Sequence, residues 1–401
     1  MDALALALTT RSRILYGIGK TREAITSVNE AIPLLNAAID SPSASPSQIV
    51  DAAVAYHLLA DELGEPETPS IGDYPNALKT YRQSDDLYER ALAIDPTYAE
   101  AKRRIATNHL NVGNILILTD PARAIGEFRT SLSLWHAMPI KDKTANDTQR
   151  TILYDTIKLA AALTQTRDYK LAVSTYEEAR KSVEISAALD SKDSRAQEDL
   201  AALLGGEADT YIDMADPLLN PRGKEDRHES FQHAMKLLQG SIAVTEKLVA
   251  LNPNHQMWTA YLAHKKVLLG TVERSVSTPN SDPEVAASGV ATLRQLASAD
   301  DASSDVLFRV TSAMLTVLPV PLRDTRLTVY YAERLAALSH YTDPTSLLLL
   351  AQAYLANGQF EKATATAKDG LALLPPHLPG TETVRCRLLL EHILSRAASK
   401  G

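Results

Sequence analysis

Three groups of residues carry types and spacings that could do chemistry. Gly19-Lys20-Thr21 has the ending of a phosphate-binding loop, whose backbone N–H groups and lysine cradle phosphates. That loop needs a glycine five residues before Gly19 and a strand ahead of it. Ile14 stands at the first position and no strand pattern precedes it, so the triplet reads as a turn between helices. His228, Glu229 and His233 are metal-ligating types. Two histidines share a helical face when four apart, whereas these are five apart and lie where a loop meets a helix. They are expected to be solvated, with no metal and no cofactor. No Gly-x-Ser-x-Gly nucleophile elbow occurs, and no catalytic residue is assigned. Asn146-Asp147-Thr148 fits the glycosylation pattern, a triplet common by chance. The third group is a binding row. Asn108, Asn111 and Asn114 recur at a spacing of three along residues 98–117, with Arg104 a turn earlier. An asparagine amide both donates and accepts hydrogen bonds, so such a row can hold a peptide backbone. Lys158 and Lys265 lie on later segments of the same kind and could attract a carboxylate. These six residues form the expected peptide groove. The competing reading is that they are ordinary solvated positions.

A row at a spacing of three needs a helix beneath it, and the composition is that of helices. The chain has 401 residues, 45% of them hydrophobic and only 5% aromatic. Ala and Leu dominate, and both lose little entropy on entering a helix. Alternating runs of Val, Ile and Thr are scarce. The helices recur as a repeat. Residues 344–375 place Leu347, Leu350, Ala351 and Tyr354 on a first helix, Gly358 in a turn, and Ala363, Ala367, Gly370 and Pro375 on and after a second. These are the offsets of a tetratricopeptide unit. Leu350 and Tyr354 share one face, the small residues allow close packing, Gly358 can end a helix in the left-handed conformation, and Pro375 cannot continue one.

The same template finds second helices at 73–96 (Tyr74, Ala77, Tyr81, then Ser84, Tyr88, Ala91), 121–137 (Ala124, Phe128, Trp135), 168–190 (Tyr169, Ala172, Tyr176, Ala179) and 229–253 (Ala234, Leu238). First helices are expected at 49–63, 98–117, 148–165, 193–215 and 254–273. An N-terminal pair at 3–17 and 21–39 meets at Gly19, with Pro33 expected to kink or end the second member. Residues 282–298 and 302–340 are helical by pattern but match the repeat weakly. The loops at 41–48, 64–73, 215–230 and 277–283 are rich in Pro, Gly and Ser. The third is the longest insertion, and insertions in repeat proteins fall on one face, often the binding face. The expected fold is all-α, a right-handed superhelical solenoid of about eight tetratricopeptide-like hairpins with a C-terminal capping helix. Its expected division is an N-terminal hairpin at 1–40, well-matched repeats at 47–255, degenerate repeats at 256–342, a regular repeat at 343–375 and a cap at 381–398.

Residues from about 50 to 137 contain LADELGEPETPSIGDYPNALKTY, YERALAIDPTYAEAKRRIA and NHLNVGNILILTDPARAIGEFRTSLSL. This stretch resembles the tetratricopeptide region behind the catalytic domain of acidobacterial serine/threonine protein kinases. Asp95-Pro96, Ala99 to Ala106, and Gly64 with Pro66 carry the likeness. The resemblance implies an accessory sensing or docking region. It implies no kinase activity, because the glycine-rich loop, the lysine strand and the HRD and DFG segments are absent.

The formal charge of -8 and pI of about 5.7 argue against nucleic acid, which selects for basic faces. With one cysteine, Cys386, no internal disulfide and no cysteine-based zinc site can form. A reducing compartment fits, so the cytoplasm is expected, with the periplasm as the alternative for a piece of a membrane-anchored kinase. The apolar start, MDALALALTTRSR, is too short to span a membrane and lacks a basic leader region. A helical pattern already under way there is what a fragment of a longer protein would show. The expected partner is a protein or peptide, held by a non-enzymatic scaffold.

Overall fold

The computed structural model describes residues 3–41, 43–66, 68, 70–139, 146–189, 192–221, 227–276, 283–316, 324–374 and 381–398. The expectation for Pro375 lies outside them. The described residues hold seventeen α-helices and no strand. They are α1 (Ala3–Gly17), α2 (Thr21–Ile39), α3 (Pro46–Gly64), α4 (Tyr74–Ile94), α5 (Ala99–Thr119), α6 (Pro121–Ala137), α7 (Asn146–Gln165), α8 (Tyr169–Leu189), α9 (Ser194–Ala215), α10 (Arg227–Leu251), α11 (Gln256–Val276), α12 (Pro283–Ala297), α13 (Ser304–Thr316), α14 (Thr325–Leu338), α15 (Pro344–Ala356), α16 (Phe360–Leu373) and α17 (Thr381–Ala398). Backbone contacts divide them into two compact units, residues 1–163 and 164–401, with the division inside α7.

Local chemistry sets the helix ends. Gly19 takes a φ of 78°, and the Lys20 N–H returns to the Leu15 carbonyl at 2.9 Å, closing α1 and turning the chain into α2. Gly19-Lys20-Thr21 is therefore a turn and a helix start. Gly358 repeats the device between α15 and α16, with a φ of 75° and the Gln359 N–H on the Tyr354 carbonyl at 2.9 Å. Ser45 and Gln48 form a reciprocal capping box at the start of α3. Asp73, Asp120, Asp193, Asp324 and Asp343 accept from backbone N–H groups at the starts of α4, α6, α9, α14 and α15. Pro33 does not end α2, which continues to Ile39. Val28, Ala31, Leu35 and Ile39 are all buried along its length, so burial outweighs the lost backbone bond. Residues 302–340 resolve into two helices, α13 and α14.

Within each unit the helices pack as antiparallel neighbours, first helix on second and second on the next first. Small residues make the close approaches. A Cβ built on Gly64 would lie 2.8 Å from the Ala77 Cβ, and one on Gly270 would lie 2.5 Å from the Ala286 Cβ. In the α5–α6 hairpin the Phe128 ring lies directly on Gly113, where an added Cβ would meet it at 2.5 Å. Tyr81, Tyr88 and Phe128 are fully buried as the large members of these size-matched layers. Leu78, Leu87 and Leu92 pack against the same clusters, so they belong to the core and not to a partner surface. Gly113→Ala is therefore expected to destabilise the chain by about 1–3 kcal/mol through overpacking. Gly126→Ala, on an exposed stretch of α6 with open space around it, should be stabilising by roughly 0.5–1 kcal/mol. Urea unfolding of both variants checks the pair.

Candidate functional site

The predicted asparagine row lies on α5, and its partners lie on α3 and at that helix's C-cap, Glu65. The His57 Nδ1–H donates to Asn108 Oδ1 at 2.6 Å. The Asn111 amide donates to Asp61 Oδ1 at 3.1 Å, and the Asn114 amide donates to Glu65 Oε1 at 3.2 Å. Residues three apart on α5 thus meet residues four apart along α3 and its C-cap, rung by rung. Asn108 also donates to Asp85 Oδ1 at 2.7 Å and to Ser84 Oγ at 3.2 Å on α4. Tyr81 donates to Asp61, and Ser12 on α1 donates to Glu62. The outcome is a polar ladder joining α1, α3 and α5, the successive first helices of unit 1.

This placement revises the expected groove. Asn108 is fully buried and Asn114 nearly so; the Asn108 amide and the Asn114 NH2 are engaged inside the stack, while Asn114 Oδ1 is buried without a partner among the described residues. The two asparagines are not solvated donors along a surface, because burial obliges an amide to find partners within the protein. Asn111 and Arg104 are half-exposed at the ladder's edge, and Arg104 lies 3.5 Å from Glu100 on its own helix. Lys158 is half-buried over the Tyr154 ring, 5.1 Å from its centroid.

Unit 2 has a ladder of different composition, between α9 and α11. The Trp258 indole N–H donates to Glu198 Oε1 at 2.5 Å, and the Tyr261 hydroxyl donates to the Ala201 carbonyl at 2.9 Å. Lys265 is buried and donates to the Gly205 carbonyl at 3.3 Å and to Asp209 at 3.1 Å. Burial alone would favour loss of its proton. Asp209 and Tyr261 outweigh that and raise its pKa. The expected carboxylate-seeking lysine already has its carboxylate. Gly205 makes room for the ladder, since a Cβ there would strike the Tyr261 hydroxyl; one on Gly206 would lie 2.7 Å from the Tyr176 hydroxyl.

The remaining motifs resolve simply. His233 stacks on Tyr211 at 4.9 Å and lies 3.7 Å from Glu229. His228 lies 2.9 Å from the Gln232 amide. Among the described residues no three His, Cys, Asp or Glu side chains gather as metal ligands, and no helix is long and apolar enough to cross a membrane. Residues 222–226 of the long insertion, and the side chains of Asn146 and Asp147, lie outside the described residues. Cys386 is buried, its thiol 3.5 Å from the Pro344 carbonyl. Sequence reasoning missed His57, Asp61, Glu65, Glu198, Trp258 and Tyr261. A usable signal was the repeat spacing itself, since His57, Asp61 and Glu65 recur at four on the first helix preceding the asparagines.

No protein-family model matches the chain, and no curated relative does. Solved structures do resemble it. The apo form of the quorum sensor NprR from B. thuringiensis aligns at 12% identity over 94% of this chain and 89% of that one, with a TM-score of 0.54. Apo RapI aligns at 13% identity over 74% and 86%, with a TM-score of 0.38. A tetratricopeptide repeat protein from Parabacteroides merdae aligns at 10% identity over 99% and 100%, with a TM-score of 0.37. The helices, their hairpin packing and the likeness to the NprR fold define the class: the chain is an all-α, tetratricopeptide-like solenoid. At such identities the likeness is one of fold.

Several buried carboxyls are pushed toward their protonated form. Burial pushes Glu62 up to about 7, opposed by the Ser12 hydroxyl and assisted by Asp61. Burial likewise raises Asp155 and Glu207 to about 7. Geometry agrees at Asp155. The Ser131 hydroxyl lies 2.8 Å from the Ala106 carbonyl and 2.6 Å from Asp155 Oδ2, and it has one hydrogen to give. A protonated Asp155 can donate to Ser131 while Ser131 donates to Ala106. Between about pH 4.5 and 7 the folded chain keeps a proton on Glu62 that the unfolded chain has released, so stability falls as pH rises through that window. The loss is roughly 3 kcal/mol for such a shift. Glu62→Gln should match the wild type near pH 5 and exceed it increasingly up to pH 8, as measured by urea midpoints across pH. A stability difference independent of pH would contradict the assignment.

Proposed function

We propose that the chain is a protein-interaction scaffold, not an enzyme, that binds a peptide or protein segment along the face formed by its first helices. The observation that carries this reading is the ladder in unit 1. Side chains from α1, α3 and α5 are locked to one another by buried hydrogen bonds, so the face they form is set before any partner arrives. Preorganisation of this kind lowers the ordering cost of binding. Arg104 and Asn111 lie half-exposed at the edge of that face, and Lys158 is half-buried on the following first helix of the unit. These three are the residues proposed to touch the ligand. Asn108, Asn114 and Lys265 keep a positioning role, because their polar atoms serve the stack. Stacked helix pairs make the long concave surfaces that suit such ligands.

A second reading rests on the resemblance of residues 50–137 to the region behind acidobacterial kinase domains. On that reading the chain is the sensing or docking part of a serine/threonine kinase system, cytoplasmic or periplasmic, split or truncated from its catalytic domain. A neighbouring reading frame encoding HRD and DFG segments would favour it.

The test of the first reading is capture from lysate by the immobilised full chain, with bound proteins identified by mass spectrometry. Arg104→Glu combined with Asn111→Asp should weaken capture of the specific partner by about ten-fold or more. Lys79→Glu, on the exposed face of α4, should leave it unchanged. Equal capture by both variants, or no specific capture by the wild type, would overturn the reading.

A further inference from the structure

One contact in unit 2 departs from the packing of neighbours. Arg385 lies in α17, and its Nη2 donates to Asp213 Oδ1 at 2.7 Å and to Asp216 Oδ2 at 3.2 Å, at the C-terminal end of α9. The residues are 172 and 169 positions apart in sequence. Helices stacked in one dimension touch their neighbours in the stack and little else. A side chain of α17 can meet the end of α9 only if the intervening hairpins curve far enough to bring the two ends of unit 2 together.

The contact has the chemistry of a reversible tie. One guanidinium nitrogen serves two carboxylates, and the three side chains keep 23%, 12% and 22% exposure. Asp213 is largely buried, while Arg385 and Asp216 keep part of their contact with water, so salt reaches the tie, though less than it would a fully exposed pair. The buried Tyr169 hydroxyl, at the start of α8, has no hydrogen-bond partner and lies within electrostatic reach of all three charges. On its other side α17 is rooted in apolar core. Cys386, Leu390 and Ile393 are buried in the cluster that includes Leu347, Leu350 and Ala351 of α15, and a Leu390 methyl lies 3.2 Å from where a Cβ on Gly370 would be. Loss of the tie would therefore free the end of the stack without unfolding the helix.

We propose that Arg385 with Asp213 and Asp216 forms an electrostatic latch that holds unit 2 closed upon itself, and that opening it admits a partner segment to the face of its first helices. The latch stands on the contact alone; only the admission of a partner rests on the binding reading above.

Hydrogen exchange and small-angle scattering of the full chain without any partner test the latch, at low and high salt. Arg385→Ala, and Asp213→Asn combined with Asp216→Asn, should each speed exchange at the end of α9 and the start of α17 by about ten-fold and enlarge the radius of gyration. The triple variant should add little, because all the changes remove one interaction. High salt should move the wild type toward the variants. Circular dichroism checks that helix content is kept, and Arg385→Lys, with the salt series on the wild type, serves where the aspartate variants lose it. Unchanged exchange and scattering in Arg385→Ala and Arg385→Lys, with no effect of salt, would overturn the latch. Since no partner is present, that failure would leave the capture experiment untouched, and a failed capture would leave the latch standing.

Discussion

The requirement that a buried polar group find a partner inside the protein governs how successive hairpins of this chain stack. Apolar packing holds the hairpins together through a shared cluster, and directional polar contacts add a register to it. Asn108, Asn111 and Asn114 meeting His57, Asp61 and Glu65 are not interchangeable. A shift of one helical turn between α3 and α5 would strand several buried donors and acceptors at once, each at a cost of about 1–3 kcal/mol. The ladder therefore sets the register between repeats, while small residues set the distance within them.

Those two tasks fall to different residues. Inside a hairpin the fit is steric: Gly113 under Phe128, or Ala77 against Gly64. Between hairpins an apolar cluster runs from Ala5 and Val28 through Ile49 and Tyr88 to Ile105, and polar rungs along the first helices add to it. Unit 2 achieves the same result with other chemistry. Gly205 leaves the α9 backbone bare, so that Tyr261 and Lys265 reach the carbonyls of Ala201 and Gly205 directly. The rungs there are aromatic or cationic donors, on the Glu198 and Asp209 carboxylates as well as on main-chain carbonyls, and Gly205 is required by that approach.

Within-hairpin order was legible in the sequence because it is local. Tyr81 four after Ala77, Phe128 four after Ala124, and Gly358 between two apolar runs state their roles within a span of a few turns. The ladder was half-legible. The spacing of the asparagines marked one face of α5 as special, but the partners lie about fifty residues earlier, and nothing local says whether a polar row faces water or another helix. Lys265 shows the same limit, since a lone lysine reads as solvated until Asp209, 56 residues away, takes its charge. At Pro33 the ending that a strong local rule offers yields to a buried face that runs through it from Val28 to Ile39.

Burial also divides the acidic groups of this molecule into two kinds. Glu62, Asp155 and Glu207 are almost wholly enclosed, and their carboxyl pKa values rise to about 7 because charge is costly there. When protonated, Glu62 and Asp155 act as hydrogen-bonding groups that ionic strength barely touches and proton concentration controls, whereas Glu207 also lies 3.5 Å from Arg180. Asp209 is 54% exposed, and Asp213 and Asp216 keep contact with water; all three meet cationic side chains. Attractions of this second kind weaken as salt screens them. The Ser12–Glu62 bond between α1 and α3 in unit 1 and the tie that draws α17 to α9 in unit 2 thus answer to different solution variables. A molecule built this way can change the closure of one unit without loosening the stack that gives the other its face.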